Sequence, residues 1–238
     1  MAKLYIIATP VGNLSDVSQR TIETLKSVYA LACEDTRHTG NLLNLLNIPR
    51  PQLVFSNHEY NERGVASKIV SLLDQGHDVG ICSDAGYPLI SDPGFPAVRA
   101  AIQAGHQIVP IPGASAVPLA LIISGLPCTS YTFKGFPPKK PGALLRYLEQ
   151  ELALPHTLVF YESPFRVGKF LEEAANVYGP RQAAVCIELT KQFERCERGS
   201  LPELAQLYAD GKLKGEVVIV IDGNHEKRHK TEEEDAIP

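Results

Sequence analysis

The stretch DVGICSDAGYPLISDPG, residues 78–94, decides the fold. Its first five residues form a short apolar run with the length of a buried strand. The next twelve change character, with Asp84, Asp92, Pro88 and Pro93 set among Ala85, Gly86 and Gly94. The chain therefore leaves a strand and enters a stiff, hydrogen-bonding loop. Such a loop at a strand's end is where open parallel sheets hold ligands.

Working outward, residues 3–8, 30–34, 52–56 and 107–111 are further short apolar runs, most of them separated by stretches of helical spacing. Between residues 61 and 75, Val65, Ile69, Leu72 and Leu73 place one apolar stripe on an otherwise polar helix. Alternation of this kind predicts an α/β domain with a mostly parallel sheet covered by helices. A second pattern follows: a strand in YTFKGF, a helix over 142–153, a strand in TLVFY, a helix over 165–178, and strands in AAVCIEL and GEVVIVIDG. Pro127 and small polar residues interrupt the periodicity near 126–130, which divides the chain into domains at 1–126 and 127–223. Residues 224–238 lack an apolar face and read as a charged, disordered tail.

Composition narrows the classes. With 238 residues and 44% hydrophobic content the chain builds real cores without staples. Five scattered cysteines, without a C-x-x-C pair, argue against a disulfide scaffold or structural zinc and for a reducing cytoplasm. The apolar stretch at the N-terminus stops at Thr9 and Pro10, too early for a signal peptide, and no run has the length of a membrane span. The net charge is −4; without the tail, 20 basic residues face 22 acidic ones. The charge argues against a uniformly basic nucleic-acid binder, and any contact with RNA must come from a local patch rather than from overall charge.

Three loops rich in glycine or proline each follow an apolar strand: ATPVGNLSD, SDAGYPLISDPG and PIPGASA. Any one of them alone is an ordinary turn, but three at corresponding strand ends converge on one crevice. None has the lysine of a P-loop or the G-x-G-x-x-G of a dinucleotide fold. They offer backbone groups, Asp carboxylates and small side chains, which suit a ligand with amine, carboxylate and adenine functions.

LYIIATPVGNLSD, CEDTRHT, SDAGYPLISDPG, PIPGASA, YESPFR and ELTKQFE, in that order, resemble the bacterial 16S rRNA (cytidine-2′-O)-methyltransferase family of the tetrapyrrole-methylase superfamily. The resemblance runs from about Lys3 to Gly223. It implies a two-domain tetrapyrrole-methylase-like fold, with a mostly parallel N-terminal sheet, a mixed C-terminal sheet and a cleft between them for S-adenosylmethionine. It also implies a cytoplasmic homodimer that methylates a ribose 2′-hydroxyl in the decoding centre, with the assembled 30S subunit as the partner. Three positions depart from the family pattern: Tyr87 replaces the usual Thr, Phe165 replaces the usual His, and GFPPKKPGALLR varies GFLPRK.

Carried over residue by residue, the resemblance puts the cofactor against Asp84, Ala85, Gly86, Ile90 and Ser91, with Pro10 and Gly12 as the opposite wall. Ser115 and Ala116 fall near its amino-acid moiety, and Tyr161 and Leu189 near the adenosine. Each has a plainer reading as packing or capping: Asp92 suits the N-cap of a helix over 94–105, Ser115 the cap of the next helix, and Asp35 the cap of a helix beginning near Thr36. Methyl transfer from a sulfonium needs positioning and a proton acceptor, and no metal. The candidate groups are Glu34, Asp35, Glu162, Glu188 and Lys191; Glu162 and Lys191 rank first because each sits in a motif at a strand end. A basic Lys191 requires a strongly lowered pKa, and a surface ion pair is its alternative. RNA contact is expected at Arg37, Lys134, Lys139, Lys140, Arg146 and Arg166, with Phe133, Phe136 and Tyr147 interleaved among them for stacking. Two rival functions remain open: methylation of a tetrapyrrole, and non-catalytic binding of cofactor or RNA.

Overall fold

A computed structural model describes residues 2–225; the expected tail lies, from residue 226 onward, outside the described residues. The chain forms two compact units that divide between Ser115 and Ala116.

The first unit alternates strictly. Strands β1 (Lys3–Ile7), β2 (Ala30–Cys33), β3 (Leu53–Ser56), β4 (Val79–Cys82) and β5 (Gln107–Ile111) are joined through helices α1 (Gln19–Ser27), α2 (Thr36–Leu45), α3 (Glu62–Asp74) and α4 (Phe95–Gln103). All strand pairs are parallel, in the order β3-β2-β4-β1-β5. Every residue of β2 and β4 is buried, which explains why both read as unbroken apolar runs. Side chains alternate between the two faces: Leu4, Ala30, Ala32, Val79 and Ile81 meet α3 and α4, while Ile7, Leu31, Cys33 and Cys82 meet Leu25 and Leu43 of α1 and α2. Gly80 occupies the middle of β4 because a Cβ there would lie 2.8 Å from Ile7 Cδ1.

The second unit carries α5 (Ala116–Ser124), β6 (Tyr131–Phe133), α6 (Pro141–Glu149), β7 (Thr157–Glu162), α7 (Val167–Tyr178), β8 (Gln182–Ile187), β9 (Arg195–Ser200), α8 (Leu201–Leu207) and β10 (Val217–Ile221). Its sheet order is β6-β7-β10-β8-β9, with β6 parallel to β7 and the remaining pairs antiparallel. The fully buried VVIVI of β10 divides by period two. Val217, Ile219 and Ile221 join Phe160 and helices α6, α7 and α8, while Val218 and Val220 join Val159, Cys186 and α5.

Two differences from the sequence reading have clear causes. Helix α5, placed by sequence in the first domain, packs Val117, Ala120 and Leu121 against the second sheet, so that unit begins before the proline-rich break near 126–130. Strand β9 was not anticipated, because RCERGS has the polar composition of a protected edge strand rather than a buried one.

Candidate active site

The carboxyl ends of the first sheet's strands gather the three loops. Thr9 N donates to Gly86 O at 2.9 Å and Gly86 N returns a bond to Thr9 O at 3.1 Å, so the loops after β1 and β4 are stitched together. Gly86 is buried at φ 74°, and a Cβ there would reach both Val11 and the Ala114 carbonyl of the third loop. Tyr87, a departure from the family pattern, closes the remaining gap: its hydroxyl accepts from Gly113 N at 3.1 Å. Pro10, Gly86 and Ser115 thus lie in loops that meet within the first unit, as the motifs predict. Gly12, Ala85, Ile90 and Ser91 lie exposed along these loops.

Backbone strain marks the same places. Among the described residues, the non-glycine positions with positive φ are Leu89, Ser91, Glu188, Thr190 and Asn47. Four of the five fall in two of the quoted motifs, and conformations of this kind cluster at ligand sites.

The loop after β4 also builds an acidic group. Asp84 Oδ1 accepts from Asp35 N at 3.2 Å, and Glu34 Oε2 accepts from Asp84 N at 3.4 Å. Asp92 is pushed up to about 6, by burial first and then by the negative charge of Glu34. Asp92 is not the cap of α4. That place belongs to Gly94, at φ 135°, whose N–H donates to Glu62 Oε2 at 3.3 Å.

The raised pKa has a testable sign. A carboxyl whose folded pKa exceeds its ordinary value near 4 opposes folding above both values; the penalty begins to shrink as pH falls through about 6 and is gone below about 4. We expect Asp92→Asn to stabilise the protein at pH 7.5 by about 1 kcal/mol, after allowance for partial solvent screening. The gain should vanish by about pH 4 in urea titrations. A constant difference across that range would remove Asp92 from the acidic group.

In the second unit Ala116, Tyr161 and Leu189 belong to one apolar cluster. Leu189 is buried among Val117, Val218 and Val220, so its packing reading is the one realised. Tyr161 lies between Phe133 and Phe136, with ring centroids 4.8 Å and 5.5 Å away.

The two favoured acid–base residues part company. Lys191 Nζ donates to Glu188 Oε1 at 2.9 Å and to Glu216 Oε2 at 3.0 Å, and Glu216 N donates to the same Glu188 oxygen at 2.9 Å. Burial opposes its charge, but the two carboxylates outweigh burial and hold the amine above its ordinary pKa. Lys191 is therefore an ammonium that anchors its loop, and the base role is corrected to the ion-pair reading. The sequence missed Glu216, which comes beside this loop only through the pairing of β8 with β10.

Glu162 is different. Its side chain is 1% exposed; Oε1 accepts from Ser163 N at 2.7 Å and pairs with Arg166 at 3.3 Å, while Oε2 is buried without a hydrogen-bond partner. Burial raises its pKa against the opposing pull of the Ser163 N–H and Arg166. A buried carboxylate with one unspent oxygen and a raised pKa is suited to accept a proton.

The expected RNA residues also divide. Lys134 forms a buried pair with Glu151, and Arg166 donates to Pro138 O at 2.9 Å as well as pairing with Glu162, so both serve as internal braces. Arg37, although exposed, is bound by Asp35, whose carboxylate also caps α2 through Arg37 N at 2.8 Å. Lys139, Lys140, Arg146 and Phe136 remain exposed, and Phe165, next to Arg166 in the chain, is 79% exposed. Tyr147 packs on the core and bonds the Lys134 carbonyl, which removes it from the stacking group.

Residues 3–205 match the family described as Tetrapyrrole (Corrin/Porphyrin) Methylases, which sets the class. A solved structure of uroporphyrin-III C-methyltransferase from Thermus thermophilus, complexed with S-adenosylhomocysteine, shares the fold with a TM-score of 0.61 at 16% identity, over 93% of this chain and 97% of that one. Ribosomal RNA small subunit methyltransferase I of Halalkalibacterium halodurans is 42% identical over 94% of this chain and 77% of its own length. The protein of the same name from Xylella fastidiosa is 44% identical over 92% and 81%. The chain belongs to the ribosomal RNA small subunit methyltransferase I family and is a methyltransferase.

Proposed function

We propose that this protein transfers the methyl group of S-adenosylmethionine to the ribose 2′-hydroxyl of a cytidine in the decoding centre of 16S rRNA. The observation that carries the reading is identity of 42–44% to ribosomal RNA small subunit methyltransferase I across more than nine-tenths of the chain. The acceptor is the assembled 30S subunit, and the enzyme acts as a cytoplasmic homodimer. Among the described residues no helix is long and apolar enough to cross a membrane. The tetrapyrrole alternative rests on the wider family's description and on a fold likeness at 16% identity.

The first unit's loops fit the cofactor. S-adenosylmethionine carries a cationic sulfonium and an ammonium, and the loops present Glu34, Asp84 and Asp92 beside a backbone that Gly86 leaves open. Asp84, Ala85, Gly86, Ile90 and Ser91, with Pro10, Gly12 and Ser115, would hold it. The bound cofactor supplies an electrophilic methyl. Glu162 Oε2 takes the proton that the 2′-hydroxyl must release, and Arg166 keeps that carboxylate fixed. Lys191 holds the strained segment Glu188–Thr190 in place through its two carboxylates.

Lys139, Lys140 and Arg146 contact phosphates, and the exposed rings of Phe136 and Phe165 stack on bases. Replacing both Lys139 and Lys140 by Ala should weaken 30S binding about tenfold and lower the slope of log K against log salt by about 1.5. An unchanged slope in filter binding would place the RNA elsewhere. The acceptor class is decided by offering labelled S-adenosylmethionine with small subunits and with a uroporphyrinogen in parallel. Label in RNA alone supports the proposal, and label in the tetrapyrrole contradicts it.

A further inference from the structure

Cys186 and Cys196 face one another across β8 and β9 as a direct antiparallel pair, and their sulfurs stand 3.5 Å apart as free thiols. Directly opposed residues of this kind have Cα separations within the range that a disulfide spans. The sulfurs have about 1.5 Å to close to reach bonding distance. The two thiols are not equivalent: Cys186 is fully buried, whereas Cys196 lies on the partly exposed edge strand. The hydrogen bond from Cys186 and the guanidinium of Arg198 pull the Cys196 thiol down, against burial and the charges of Glu197 and Glu194, while the same pairing raises Cys186. One sulfur is thus suited to attack and the other keeps its proton.

Their position gives the pair a consequence. Cys186 lies at the end of β8 and Cys196 near the start of β9, so they form the two stems of the loop that carries Glu188, Thr190 and Lys191. Glu188 and Thr190 are the left-handed residues of that loop, held by the triad with Glu216. The two sulfurs also contact helix α5, through the carbonyls of Ala120 and Ile123.

We propose that Cys186 and Cys196 form a peroxide-reactive dithiol whose disulfide clamps the stems of the loop from Glu188 to Glu194. The Cys196 thiolate attacks a peroxide oxygen, the O–O bond breaks, and hydroxide leaves and is protonated to water, giving a sulfenic acid. The Cys186 sulfur then attacks the Cys196 sulfur; the S–S bond forms, the S–O bond breaks, and a second water departs with the Cys186 proton. Two thiols are oxidised by two electrons and one hydrogen peroxide is reduced to two waters. A dithiol reductant reverses the step.

The test treats the full-length protein with hydrogen peroxide and reads intact mass, non-reduced peptide maps and amide exchange. The exposed Cys128 serves as an internal competitor, and Cys128→Ser removes its contribution. The expected product is lighter by two hydrogens and carries a 186–196 link, and exchange of the amides in 188–194 slows by about tenfold. Cys186→Ser should accumulate a sulfenic acid at Cys196 that a diketone probe captures, and Cys196→Ser should form neither the link nor the adduct. Oxidation confined to Cys128, or passage of Cys196 to a sulfinic acid without a link, overturns the site. A 186–196 link that leaves exchange in 188–194 unchanged overturns the clamp.

Discussion

Glu162→Gln should lower the rate of methyl transfer to 30S subunits by about 10²–10⁴-fold while S-adenosylmethionine affinity, measured by calorimetry, stays within about twofold. The substitution keeps the shape of the side chain and the acceptor that receives Ser163 N, but it removes the buried oxygen available for a proton. Stability should change little, since the lost pairing with Arg166 is offset by relief from a buried charge. The pH profile separates catalysis from architecture. Burial raises the Glu162 pKa, so the wild-type rate climbs with pH as the carboxylate ionises, and the variant's residual rate should lack that limb. Full activity in Glu162→Gln, with the limb intact, would reduce Glu162 to a brace for Arg166.

Gly168→Ala should destabilise the second unit by about 3 kcal/mol or more. Helix propensity alone argues the other way, because Ala in a helix is favoured over Gly by about 1 kcal/mol. Space decides the sign. A Cβ on Gly168 would lie 2.2 Å from the Tyr208 carbonyl oxygen and 2.9 Å from its carbon. Those atoms are backbone just beyond α8, so the obstacle cannot swing aside as a side chain does. Helices α7 and α8 would have to separate, loosening Phe170, Leu171, Leu201 and Leu204 in the shared core. Urea unfolding should show a lower midpoint; a higher one would mean that the two helices do not approach this closely.

The strands with unbroken apolar runs were legible because burial on both faces leaves no polar positions to confuse the pattern, as in VGIC and VVIVI. Strand β9 was not, since an edge strand needs only one partner and tolerates the charges of RCERGS. The convergence of Thr9, Gly86 and Ala114 followed from three similar loops at equivalent strand ends. Side-chain partnerships were harder to read. Nothing in ELTK announces Glu216, which sits 25 residues further along the chain and meets Lys191 only once β10 lies beside β8. Asp92 reads as a cap by local chemistry, yet the φ of Gly94 assigns the cap elsewhere and leaves the carboxyl among Glu34 and Ser83. Lys134 and Lys139 look alike in KGFPPKK, and only the fold shows that Glu151 claims the first of them.

The most direct measurement incubates the purified protein with tritiated S-adenosylmethionine and small subunits from a strain lacking the enzyme, then maps the label by nuclease digestion and mass spectrometry. A single new 2′-O-methylcytidine in the decoding region is the expected result. Absence of transfer despite tight cofactor binding, or label on a base or on another molecule, would contradict the assigned reaction.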